Sequence, residues 1–170
     1  MKRLNLMLKS LLAIAVVALI AGMWVGPAAA AGPTNQQREY RALKYGLSLL
    51  EIRVKALQDQ IDLARDGIAV ADQFIQDEQA NGQDTSALEA ALTASETKLA
   101  NVQSLHDEAA QILATKAGFD QNGNVTDPAQ ARETLKNAHQ KVQEAAQTLR
   151  EARQEFRRAM QEYRQNKRNQ

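Results

Sequence analysis

The chain has 170 residues, with 21 basic and 20 acidic side chains, no cysteine and 4% aromatics. That length suits one domain, excludes a disulfide framework and thiol chemistry, and leaves a core of aliphatic and alanine contacts. A formal charge of +1 does not describe a general polyanion binder, so no nucleic-acid partner is expected.

Residues 1–31 have the three parts of an export signal peptide. Lys2, Arg3 and Lys9 give a positive start, Leu11 to Val25 an apolar stretch, and Pro27-Ala28-Ala29-Ala30-Ala31 a small-residue cleavage site. A retained membrane tether is the alternative, because the uncharged run from Ser10 to Ala31 exceeds the ~20 residues a span needs. The Gly26-Pro27 break and the A-x-A register after it favour cleavage, and the lack of cysteine excludes a lipoprotein anchor. Cleavage removes three basic residues, leaving 18 against 20 acidic, a net charge of about −2.

Gly32-Pro33 is a linker into one helical domain, residues 32–170. Thr34 and Gln37 have capping-box spacing, opening a first helix expected over about 35–80. Its apolar row (Tyr40, Leu43, Leu47, Leu50, Val54, Leu57, Ile61, Ala64, Ile68, Ala71, Ile75) alternates steps of three and four, the seam of a coiled coil. Leu49, Ile52, Ala56, Leu63, Val70 and Phe74 widen that face, which predicts contact with two partner helices. Gly46 and Gly67 each cost a helix roughly 1 kcal/mol relative to alanine, and so are expected to mark close backbone approach.

Asn81-Gly82 ends that helix. A second is expected over about 85–117, opened by a Ser86–Glu89 capping box with Asp84 and Thr85 as rival caps. Its seam includes polar Ser95 and His106. Asp127 as cap and Pro128 in the first turn then open a third helix over about 127–168. There Ala131, Ala138, Ala145, Ala152 and Ala159 recur every seven residues and interleave with Leu135, Val142, Leu149, Phe156 and Tyr163. Small residues on such a stripe let a neighbouring backbone come close. The fold expected is all-α: an antiparallel three-helix coiled-coil bundle of long helices behind a signal peptide. At 1.5 Å per residue the second helix is shorter than the third, which predicts an overhang of about 10 Å at the C-terminus.

Three features compete as functional sites. The run from Asp120 to Asp127 places Asp120, Asn122 and Asn124 at alternate positions, as calcium loops do. It lacks the glycine and the bidentate glutamate of an EF-hand, so an Asn-Gly turn followed by a helix cap also accounts for it. His106 and His139 lie on different helices and do not make a zinc set. The basic end, with Arg157, Arg158, Arg164, Lys167 and Arg168, offers contact with an anionic envelope surface, or else a solvated end whose cations favour the helix dipole. No catalytic constellation, phosphate loop or nucleophile elbow is present, so neither an enzyme, a small-molecule substrate nor a cofactor is expected.

A leader followed by long helices is similar in outline to the periplasmic Skp-like holdases and Spy-like chaperones. Leu92-Thr93 runs into Ala94-Ser95-Glu96, where Spy-like chains carry Leu-Thr-x-x-Gln, and no stretch alternates as the strands of a Skp-like body do. Function is therefore expected from architecture. The leading expectation is a periplasmic or extracellular interaction module of the cell envelope, acting on a protein partner or by self-association. The alternatives are an envelope chaperone that holds unfolded clients and a weak cation sensor using the Asp120 loop.

Overall fold

The computed structural model describes residues 34–169. The expected signal peptide and the Gly32-Pro33 linker lie outside the described residues. Three helices follow one another: α1 (Asn35–Ala80), α2 (Ser86–Thr115) and α3 (Pro128–Arg168). Among the described residues there is no strand, only a single bridge between Phe119 and Val125.

The helix starts follow local chemistry. At α1 the Thr34 hydroxyl accepts from the Gln37 amide while the Gln37 side chain accepts from the Thr34 amide, the expected capping box. At α3 the Asp127 carboxylate accepts from the amides of Ala129 and Gln130, with Pro128 in the first turn. At α2 the expected Ser86–Glu89 box does not form. Thr85 is the cap residue, and its hydroxyl donates to the Glu89 carboxylate at 2.6 Å, while Asp84 accepts from the Ser86 amide. The helix therefore starts at Ser86, one residue later than expected, and it stops at Thr115, where Lys116 turns left-handed.

The seams pack in three layers. Leu47, Leu50 and Val54 meet Ala109, Leu113, Ala131 and Ala138; Leu57 and Ile61 meet Leu99, Val102, Ala145 and Leu149; Ala71 and Ile75 meet Leu88, Leu92 and Tyr163. Across these layers residue numbers rise together in α1 and α3 and fall in α2. Ala131, Ala138 and Ala145 are fully buried and Ala152 nearly so, whereas Ala159 is half-buried. The alanine stripe is thus a packing seam that loosens towards its C-terminal end. α2 and α3 pack most extensively and α1 and α3 least. No buried side-chain nitrogen or oxygen among the described residues lacks a hydrogen-bond partner.

The segment between α2 and α3 is more than a polar connection. Phe119 is buried and Val125 packs beside it against the Leu47–Leu113 layer, so the loop plugs one end of the bundle. Gly118 makes this possible: at φ +83° its carbonyl accepts from the amides of Thr126 and Asp127, and the Ala131 backbone lies where a Cβ would stand. The plug carries the chain past the end of α2, so that Arg132 of α3 pairs with Glu39 near the start of α1. The extra length of α3 is taken up there. The expected C-terminal overhang is accordingly corrected: Lys167 reaches Glu78, two residues before the end of α1, at 2.5 Å.

Candidate interaction surfaces

Of the five basic residues singled out at the C-terminus, the structure divides one from four. Lys167 is engaged with Glu78, which also accepts from the Tyr163 hydroxyl at 2.5 Å. Phe74 meets the Tyr163 ring edge-on, with centroids 6.0 Å apart. Arg157, Arg158, Arg164 and Arg168 are exposed and form no ion pair among the described residues. The helix end is thus anchored by one cation and one phenol, with the remaining cations free to meet an anion.

The Glu78 cluster gives a pH dependence whose sign follows from its hydrogen bonds. The bond from Lys167, and then that from Tyr163, hold the Glu78 carboxyl below its ordinary value of 4.5. A depressed carboxylate contributes stability above its unfolded value, and that contribution is lost as pH falls through the folded one. Burial, then the hydrogen bond to Glu78, push Tyr163 up from 10.0 to about 12. Its contribution is complete below pH 10 and is lost as pH rises towards 12. Glu78→Gln should therefore flatten the acid limb of a melting-temperature profile below about pH 4.5, and Tyr163→Phe the alkaline limb. A Glu78→Gln profile parallel to wild type from pH 6 down to 3 would contradict the pairing.

The Asp120 loop is brought together as a turn. Asp120 accepts from the amides of Asn122 and Asn124 and from the Asn124 side chain, and these bonds hold its carboxyl below the ordinary range. The Lys44 ammonium donates to the Asn124 side-chain oxygen at 2.7 Å. Protein donors therefore occupy oxygens that a cation would need. No group of three His, Asp or Glu among the described residues is placed to hold a metal. His106 bonds to Asp107 and Gln103 on its own helix, and His139 is exposed on α3.

Two apolar surfaces remain. On the side of α1 away from its packed seam, Tyr45 (70% exposed), Ile52 (65%), Leu63 (66%) and Val70 (71%) stand in solvent. With Leu49 and Ala56 they keep steps of three and four, interrupted only by Asp59 and Asp66. Of the residues expected to widen the face towards a second helix of the bundle, Ile52, Ala56, Leu63 and Val70 are turned away from it, whereas Phe74 packs beside Tyr163. The other surface is a groove of about 490 Å³ between α1 and α3, floored by Leu92 and Leu99 of α2 and walled by Ile68, Ala71, Ala152 and Phe156.

Gly67 lies on that groove wall, and nothing comes within 4 Å of the position its Cβ would take. The expectation of close backbone approach is corrected here, and at Gly46 it is a side chain that comes close, with Leu135 Cδ1 at 3.0 Å from such a Cβ. Sequence periodicity showed which residues face a partner but not how far away the partner stands, so the groove was missed. The one available signal was the cluster of small residues Ala64, Gly67, Ala71 and Ala152, which can close a gap or leave one.

No family model, curated protein or solved structure matches this chain. No described helix is long and apolar enough to cross a membrane. Function must therefore be argued from these surfaces.

Proposed function

We propose that the chain is an exported antiparallel three-helix coiled coil that acts, without catalysis, as an interaction module of the cell envelope. The carrying observation is the exposed row on α1, a second coiled-coil seam in which Tyr45, Ile52, Leu63 and Val70 are 65–71% exposed. Export is supported by the charge, apolar and small-residue pattern of residues 1–31. The falling order of α2 through the three layers supports the antiparallel arrangement.

A heptad row calls for a helix, and the sequence of the row favours a second copy of α1 in opposite direction. In the parallel register Asp59 meets Asp59 and Asp66 meets Asp66, which repel. Reversed about residues 57 and 58, Tyr45 faces the partner's Val70, Ile52 faces the partner's Leu63, and Lys55 stands beside the partner's Asp62. Such a two-fold contact is self-complementary, as a closed dimer requires. The chain purified after export should be a dimer in sedimentation equilibrium, and Ile52→Glu with Val70→Glu should make it a monomer of unchanged helicity. A wild-type monomer at high micromolar concentration, or a dimer indifferent to both substitutions, would contradict this function.

A further inference from the structure

We propose that the groove between α1 and α3 binds a single-chain carboxylate amphiphile, a fatty-acid anion of medium length. The inference goes beyond the dimer seam, with which the groove shares Leu63 alone. The groove runs along α3 from Leu149 to Arg164, and two contacts between α3 and α1 lie along it. The Arg153 guanidinium donates to the Gln60 carbonyl at 3.4 Å, and Tyr163 and Lys167 hold Glu78. From Leu149 to the midpoint between Arg157 and Arg164 the helix rises about 17 Å, enough for an extended acyl chain such as laurate.

Along that stretch the surface is apolar below and cationic at the lip. The floor is buried Leu92 and Leu99, and Leu149, Phe156 and Met160 of α3 contribute the wall. A volume of about 490 Å³ falls within the range of small-ligand sites. Arg157 and Arg164 line the same groove, both exposed and neither in an ion pair among the described residues. Two helical turns apart, they bracket the position where an anionic head emerges, and guanidinium groups pair with carboxylates through two parallel hydrogen bonds. The acyl chain lies over Leu92 and Leu99, and the carboxylate sits between the two arginines.

Gly67 supplies a clean test, since it lines the groove and a Cβ there would have nothing within 4 Å. Calorimetric titration of the purified protein with laurate, below its micellar concentration, should show one saturable site per chain. Monolaurin, the same chain with an uncharged head, should bind roughly tenfold or more weakly, as should laurate to Arg157→Glu with Arg164→Glu. Gly67→Leu should lose laurate while melting no lower than wild type, because it removes a glycine from a helix interior.

Absence of a saturable site overturns the proposal, as does laurate binding unchanged by Gly67→Leu. Equal affinity for monolaurin removes the arginines from it and overturns it likewise. Binding to anionic vesicles without binding of monomeric laurate assigns the arginines to a membrane surface instead. Suppression of aggregation of an unfolded client, lost in Gly67→Leu and without laurate binding, assigns the groove to a chaperone.

Discussion

Gly118→Ala is expected to destabilise the bundle by about 3 kcal/mol or more. Two costs coincide. The residue holds φ +83°, where a Cβ is strained by about 1–2 kcal/mol. That Cβ would also stand 2.2 Å from the Ala131 amide nitrogen and 2.6 Å from the Asp127 carbonyl oxygen, so the start of α3 has to move. Moving it disturbs the Asp127 cap and the plug of Phe119 and Val125 together. Gly82→Ala is the control, having φ +76° and nothing within 4 Å, and should lose only the conformational part, ~1 kcal/mol. Chemical denaturation of the two variants checks the difference; equal losses would mean that the plug is not packed as described.

Ala145→Leu should cost roughly 1–3 kcal/mol by overpacking. Ala145 is fully buried among Ile61, Val102 and Leu149 in the central layer, where three more carbons have to displace packed neighbours. Ala146, its half-buried neighbour in sequence, lies off the stripe, and Ala146→Leu should change the melting temperature far less. Equal effects at the two positions would contradict the alanine seam.

How much of this was legible in the sequence depended on whether a feature is local. Helix α1 begins and ends as expected from Thr34, Gln37, Asn81 and Gly82, and α3 follows from Asp127 and Pro128, because capping is decided within four residues. Heptad spacing likewise identified the buried alanines, since facing a neighbour is a property of one helix. Relations between helices were not legible. The overhang failed because the Phe119 plug, with its apolar pair set among polar residues, carries α3 back along α1 before it begins. Lys167 was grouped with four free arginines because its partner, Glu78, is 89 residues away. Ile52, Leu63 and Val70 were recognised as an apolar face, but only the structure shows them turned away from the bundle.

The exposed row on α1 is the central claim, and the absence of cysteine from the chain allows a direct measurement of it. Ile52→Cys and Leu63→Cys are prepared as separate single variants, mixed and oxidised, and the products are separated under denaturing conditions. The antiparallel seam brings position 52 of one copy to position 63 of the other, within reach of a disulfide, whose Cα atoms lie roughly 4.4–6.8 Å apart. Identical positions lie eleven residues out of register, about 16 Å along the helix, and cannot be bridged. The expected result is a covalent dimer in the mixture and none from either variant alone. Covalent dimer from Ile52→Cys alone, or none in the mixture, would contradict the self-pairing of α1.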